Sequence, residues 1–427
     1  MQKQPQERQI IATLTAIIFA SSLVLPVIAM ADPPRTRVVL VDVDGNNDSV
    51  TTDIHYFVEK GIRLSGRNVQ LSPLDAVLNA GAQAQDIQNI AFGQDALDQG
   101  LSAFKRQDYE EATDQLSQAA TYFEQSFAFL DDTSQYIKTL IHHGVSLLRS
   151  GDSKVGTQVL EKAFVLKPKL KSTKFPNEAQ AFETARSNAK NRDLSTIVVA
   201  TSPDASRVFV DGGYRGVSTV FRPGRRQGLH FIRIERQGYA RVGKVVNTQG
   251  LNNPDNEIKL DIVLNPARKK AALDALLPTL RVEFGNSTTG PGLQRIQNLL
   301  LIDHVILFRT SGDIQNTLVE LALYNLSSGR RLNAIKTRVN WDKRKTNKNK
   351  VIDAAKKLLS VDLDTMVKMS DTLGAQQGTP IFSSWWFWTV VGVATVGATV
   401  GVVLALQPEE VKPGLPRDGN GAMILRF

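Results

Sequence analysis

Apolar and polar positions alternate with different periods along the chain and divide it into stretches. Residues 10–30 and 385–406 carry no charged side chain. Between these runs, residues 37–44 form a short apolar stretch ending at Gly45-Asn46-Asn47, the pattern of a buried strand followed by a turn. Val50, Ile54, Phe57, Val58 and Ile62 then recur at helical spacing behind a cap at Asp48 or Ser49, and residues 68–71 read as a second strand. Residues 35–85 therefore predict a small α/β unit. From 91 to 170 the period is helical and Pro168 is the first proline, with a further helix expected around Phe182, Ala185 and Arg186. From 196 to 264 the pattern is β, with short strands at 197–200, 207–210, 229–234 and 258–264. In the last of these, Ile258, Leu260, Ile262 and Leu264 alternate with Lys259, Asp261 and Val263, as a strand with one buried face should. Residues 267–373 predict a second α/β unit, with helices near 270–277 and 293–300 and strands at 304–308, 317–326 and 331–341. Ile335, Thr337, Val339 and Trp341 take one face of that final strand, Lys336 and Arg338 the other, and residues 343–350 read as a solvated loop.

The two uncharged runs set the address. Lys3 and Arg8 precede the first, and Ala29-Met30-Ala31 supplies a small-x-small pattern after it, so the segment reads as a secretory signal peptide, or as an anchor if it stays uncleaved. Residues 385–406 at about 1.5 Å each give roughly 33 Å, a single membrane span. Trp385, Trp386 and Trp388 crowd one end, as indoles do in a headgroup layer. Gly397 and Gly401 form a GxxxG pattern through which two spans could associate into a homodimer.

At 427 residues the chain is long enough for about three folded units. With 42% hydrophobic and 22% charged residues it is neither disordered nor a polytopic membrane protein. Zero cysteines exclude disulfides, thiolate metal sites and cysteine catalysis. The net charge of +9 is local: residues 330–357 hold eleven basic residues against Asp342 and Asp353, and the rest of the chain sums to zero. Lys336, Arg338, Lys343, Arg344 and Lys345 form a candidate anionic-ligand patch, suited to acidic glycan or anionic lipid. Aromatic residues are not interleaved there as base stacking needs, so nucleic acid is not an expected partner.

Two helical stretches resemble tetratricopeptide hairpins, in which small residues let helices approach closely. Gly100, Tyr109, Ala112, Leu116 and Ala119 have the spacing of one repeat, and Gly144, Gly151, Leu160, Ala163 and Pro168 that of a second. The 44 residues from Gly100 to Gly144 exceed the usual period, so an extended helix or inserted turn is expected between them. The β stretch resembles the PEGA domain, a small β-sandwich of bacterial envelope proteins. The resemblance rests on Thr201-Ser202-Pro203-Asp204-Ala205-Ser206, Val208-Phe209-Val210-Asp211-Gly212, Gly216, Pro223-Gly224, Gly228-Leu229-His230 and Glu235-Arg236-Gln237-Gly238-Tyr239, in the family's order. Asp204-Ala205-Ser206 replaces the eponymous Glu-Gly-Ala, and Ser218-Thr219-Val220 lacks the usual Pro. His230 reads as structural.

Candidate chemistry is sparse. No GxSxG, HExxH, Walker or dinucleotide motif occurs. Asp42, Asp44, Asn46, Asp48 and Asp53 resemble a calcium loop, but Asn47 stands where an EF-hand requires Gly and a strand precedes it, which favours a capped turn. His142 and His143 are adjacent in a helix and point about 100° apart, a poor pair of metal ligands. No catalytic residue, cofactor or metal is expected.

The expected architecture is multidomain α+β. Its parts are a signal peptide (1–31), a small α/β domain (32–90), a tetratricopeptide-like helical region (91–194), a PEGA-like β-sandwich (195–266), an α/β domain with a basic hairpin (267–373), a linker (374–384), a transmembrane helix (385–406) and a tail (407–427). The resemblances imply a non-catalytic scaffold of the bacterial envelope, anchored in the inner membrane with most of the chain in the periplasm. Envelope proteins would bind the repeats through Gly100, Tyr109, Ala112, Gly144 and Gly151. A second reading is a cell-wall or polysaccharide-binding protein that uses the β domain and the Lys336/Arg338 face.

Overall fold

Every residue from Val38 to Val41 is buried on β1 (Thr36–Asp42), as expected for a strand covered on both faces. The computed structural model describes residues 36–363, apart from 46–47, 67–68, 131–132, 172–173, 252–255 and 362. The run at 10–30, the linker 374–384, the run at 385–406 with Gly397 and Gly401, and the tail lie outside the described residues. Among those described, no helix is long and apolar enough to cross a membrane.

After β1 come α1 (Ser49–Arg63), β2 (Val69–Leu71) and the short α2 (Leu74–Leu78). The Asp48 carboxylate caps α1 by accepting from the Thr51 amide at 2.9 Å. Ile54, Phe57, Val58 and Ile62 turn inward, as their spacing predicts. Near the other end of the described chain lie α8 (Lys270–Glu283), α9 (Pro291–Leu300), β10 (His304–Ser311), β11 (Thr317–Asn325), β12 (Arg330–Val339) and α10 (Arg344–Leu358).

The two α/β segments, read from the sequence as separate units, build one five-stranded sheet of order β12-β11-β10-β1-β2. Val38 lies opposite His304 and Asp42 opposite Phe308, so β1 pairs parallel to β10. The sheet carries α1 and α10 on one face, around Leu40, Phe57, Ile306, Leu321, Val351 and Leu358. Its other face carries α2, α8 and α9, around Val39, Val41, Leu78, Leu280, Ile296 and Leu307. The parallel pairing of β1 with β10 joins the strand edges of the two segments, and helices from both segments cover each face of the resulting sheet. At Gly61 a Cβ would sit 2.5 Å from the Ile352 carbonyl oxygen, so α1 and α10 cross in direct backbone contact.

Residues 343–350 are not a loop. Lys343 ends a 3-10 turn (Trp341–Lys343), and α10 begins at Arg344. The polar opening of α10 concealed a helix whose apolar positions, Val351, Ile352, Ala355 and Leu358, all come later.

Between β2 and α8 lie two inserted modules. The helical one contains α3 (Ala84–Lys105), α4 (Tyr109–Gln125), α5 (Thr133–Arg149), α6 (Ser153–Leu166) and α7 (Ala179–Asn191). Both hairpins repeat one contact: a Cβ at Gly100 would meet Leu116 Cγ at 2.7 Å, and a Cβ at Gly144 would meet Leu160 Cγ at 2.7 Å. The long spacing between them is taken up by a 3-10 turn, Phe127–Phe129, set between α4 and α5.

The β module packs a three-stranded sheet of order β6-β3-β9 on a four-stranded sheet of order β5-β4-β7-β8. Its strands are β3 (Leu194–Ser202), β4 (Arg207–Val210), β5 (Gly213–Val217), β6 (Val220–Arg226), β7 (Leu229–Glu235), β8 (Val242–Asn247) and β9 (Glu257–Val263). Ile197, Val199, Val208, Val210, Ile232 and Ile234 fill the space between the sheets. The polar strands β5, β6 and β8 were absent from the sequence reading. Three are edge strands, where half-exposed residues need no apolar alternation.

Candidate functional site

The β-sandwich touches both neighbours through its four-stranded sheet, and the two junctions are chemically unlike. Against the α/β layers the contact is ionic. Asp53, at the shoulder of α1, accepts hydrogen bonds from the Tyr214 hydroxyl on β5 (2.5 Å), Arg344 Nη2 (2.8 Å) and Trp341 Nε1 (3.0 Å). Burial and the Asp53 charge push the Tyr214 hydroxyl well above its ordinary range. Tyr214 also stacks on Tyr56 of α1 with ring centroids 3.7 Å apart.

A second chain of charges runs beside it. Arg207 on β4 lies 2.8 Å from Glu59 of α1 and 3.0 Å from Glu235 of β7. Arg233 and Arg241 also flank Glu235, and Arg241 reaches Asp75 of α2 at 3.1 Å. Burial alone would raise Glu235, but the guanidiniums of Arg233, Arg241 and Arg207 hold it down at about 2. His55 Nδ1 faces Arg207 Nη1 at 3.4 Å. Burial lowers that ring to about 4, so it stays neutral beside the arginine.

Gln237 closes the junction. Its side-chain amide accepts from the Asp42 main-chain N–H (2.9 Å) and donates to the Asp42 carbonyl (2.8 Å), pairing with β1 much as a strand would. Burial, with Asp44 and Asp48 adding repulsion, raises the Asp42 carboxyl to about 7 even though it accepts from the Asp44 amide. Open α/β sheets often bind ligands beyond the carboxyl ends of their parallel strands. Here the Glu235–Gln237 loop fills that crevice and leaves about 50 Å³, room for one or two waters.

Against the helical module the contact is aromatic. Phe231 on β7 stacks on Phe127 of the 3-10 turn with centroids 4.1 Å apart, and the Tyr136 ring meets it edge-on at 5.4 Å. A Cβ at Gly243 would lie 2.6 Å from Ala128 Cβ, so only glycine lets β8 approach this turn. Beside the contact a cleft of about 210 Å³ remains, floored by Phe127, Phe129 and Phe231 and walled by Val245. Asp86 of α3, Glu124 of α4 and Lys244 of β8 also line it. Val245 is 48% exposed, and β8 is an edge of its sheet.

The residues selected from the sequence for partner binding build the hairpins. Gly100, Ala112 and Gly144 are buried at helix crossings, and Gly151 turns the second hairpin at φ +99°. Tyr109 is half-buried, and its hydroxyl accepts from Arg149 Nη1 at 3.0 Å. In the basic patch, Lys336 pairs with Glu320 at 2.6 Å, Arg338 reaches Asn316 at 3.4 Å, and Lys343 and Lys345 are exposed. Arg344 turns inward to Asp53.

The acidic turn disperses: Asp48 caps α1, Asp53 joins the ionic junction, and Asp44 pairs with Arg281 at 2.9 Å. His230 is fully buried, with Nδ1 3.0 Å from Asp211 and Nε2 2.8 Å from the Arg226 carbonyl oxygen. The cleft residues Phe127, Phe129, Phe231 and Val245 were missed. Phe127-Ala128-Phe129, two aromatics between helical stretches, was the one available signal.

Residues 194–268 match the model of the PEGA domain, so a PEGA domain forms the β-sandwich, from the first residue of β3 to just past β9. No curated protein and no solved structure matches the chain.

Proposed function

We propose that the chain is a non-catalytic binding protein of a bacterial envelope, held at the membrane by residues 385–406, which captures a protein partner between its tetratricopeptide-like hairpins and its PEGA domain. PEGA domains are often extracellular binding modules, which favours an exported setting. The observation that carries the reading is the cleft. Its aromatic floor comes from two modules at once, and an open strand edge bearing the exposed Val245 borders it. An extended partner segment adding to β8 would gain main-chain hydrogen bonds and place an apolar side chain over Phe129. Asp86 and Glu124, two acids against the single Lys244 in the lining, favour a partner residue with a positive charge beside that side chain.

In-cell crosslinking tests this. A photoreactive residue at position 245 is expected to capture a reproducible set of envelope proteins, and one at the exposed Val282 of α8 is not. Equal capture from both positions, or none from 245, removes the cleft from the reading.

A further inference from the structure

We infer that the open side of the PEGA sandwich, where α10 reaches it, is a binding site for a phosphate-class oxyanion. This site is separate from the cleft and does not depend on it. β5 is an edge of one sheet and β6 an edge of the other, and the short turn between them brings their arginines together. Arg222 Nη2 donates to the Arg215 carbonyl oxygen, and Arg215 Nη2 donates to the Val210 carbonyl oxygen at 3.3 Å. Among the described residues neither guanidinium forms an ion pair. Arg225 pairs with Asp211 on the same side. Arg344 arrives from α10, its guanidinium carbon 5.8 Å from the Tyr214 ring centroid.

Four guanidiniums thus share two carboxylates, Asp211 and Asp53, and a surplus of two positive charges remains. The arrangement is self-repelling. Burial and then the charges of Arg344 and Arg225 lower Arg222, and burial and Arg225 lower Arg215. The Nε atoms of Arg222 and Arg225 are buried without a hydrogen-bond partner among the described residues. Arginines that merely protect a strand edge from pairing gain nothing by converging, since spread charges guard it as well and stay hydrated.

An anion between them reverses the sign of that repulsion. Guanidinium forks suit phosphate oxygens, and a tetrahedral oxyanion offers acceptors to two strand edges and a helix at once, which a planar carboxylate does not. The phosphate can be free or a phospholipid headgroup.

The test uses the full chain in detergent and two probes, inorganic phosphate and glycerophosphoglycerol, the deacylated headgroup of phosphatidylglycerol. Calorimetric titration is expected to show saturable binding at a fixed chloride concentration. The double variant Arg215→Gln/Arg222→Gln should lose at least about tenfold in affinity, and Lys350→Gln, farther along α10, should not. Without phosphate the double variant should unfold at the same temperature as the parent or higher, because repulsion has been removed; with phosphate only the parent's midpoint should rise. Tighter glycerophosphoglycerol binding assigns the site to lipid, tighter inorganic phosphate to a free ion. The inference is overturned if neither probe binds saturably, if chloride at matched ionic strength acts equally, or if the double variant responds like the parent.

Discussion

The PEGA sandwich meets the α/β layers through charges and the helical module through rings. On the first side Asp53, Glu59 and Glu235 are each held by arginine within hydrogen-bonding reach, and Gln237 pairs with the β1 backbone. On the second, Phe231, Phe127 and Tyr136 pack ring on ring, with Arg233 and Arg241 donating to the Leu130 and Ala128 carbonyl oxygens beside them, and a cleft stays open at their margin. Directional pairs tolerate one geometry, so the ionic junction sets the orientation of the sandwich on the sheet. Aromatic packing tolerates a partly empty margin, and that margin is the cleft in which the proposed partner would sit. Arg241 serves both junctions, reaching Asp75 on one side and the Ala128 carbonyl oxygen (3.1 Å) on the other.

The sharpest way to break this comparison is to remove one anchor from each side. Arg207→Ala leaves Glu59 and Glu235 buried without their shared cation and should cost about 3–5 kcal/mol in urea unfolding at neutral pH. Glu235, held at about 2, stabilises the fold above its ordinary pKa of 4.5 and loses that contribution as pH falls toward 2. The cost of Arg207→Ala should therefore shrink in acid. Phe231→Ala should cost a similar amount, about 3–5 kcal/mol, at every pH. If the Phe231→Ala cost follows pH as the Arg207→Ala cost does, the two junctions are not chemically distinct.

Next in size is a pair of opposed titrations at the ionic junction. Asp42 is raised to about 7, so between pH 4 and 7 the folded chain keeps a proton that the unfolded chain has released, and stability falls as pH rises. His55 is lowered to about 4, so between pH 4 and 6.5 the folded chain refuses a proton that the unfolded chain takes, and stability rises with pH. Each contributes on the order of 3 kcal/mol, and they nearly cancel. Asp42→Asn should expose a stability that climbs from pH 4 to 6.5, and His55→Gln one that declines. Unfolding curves that stay parallel across that range in both variants would show that neither group is perturbed.

Gly243→Ala sharpens the aromatic side. Its Cβ would meet Ala128 at 2.6 Å, forcing β8 away from the 3-10 turn at about 1–3 kcal/mol in urea unfolding. Val245→Ser should change stability by less than about 0.5 kcal/mol yet abolish partner capture, because Val245 is half-exposed at the cleft. Capture at the parent level by Val245→Ser would place the partner elsewhere.

Much of the fold was legible because its signals are local. The apolar run of β1, the helical spacing of α1, the alternation of β12 and the turn residues of the PEGA domain each report on neighbours within a few residues. Strands β5, β6 and β8 escaped because arginines, Gly243 and Lys244 occupy positions where an inner strand would carry apolar residues. The opening turns of α10 escaped for the same reason, since Arg344 is held there by Asp53 rather than by an apolar stripe.

The candidate site was far less legible. Phe127, Phe231 and Val245 come from three separate stretches, and none of them carries a motif. Asp53 looked like one oxygen of a calcium turn, yet its partners Tyr214, Trp341 and Arg344 lie far along the chain.

By itself the sequence determined most of the inner strands and the amphipathic helices, where the PEGA turns fall, where small residues let helices touch, and that the charge surplus is local. Those features follow from backbone sterics and from which side chains water expels. Only the tertiary structure decided that β1 lies beside β10, that the two α/β segments share one sheet, and that the arginines of β5 and β6 converge with Arg344. Strand partners and ion pairs depend on which surfaces are brought together in space, and a hydrophobic period states that a face must be covered without stating by what.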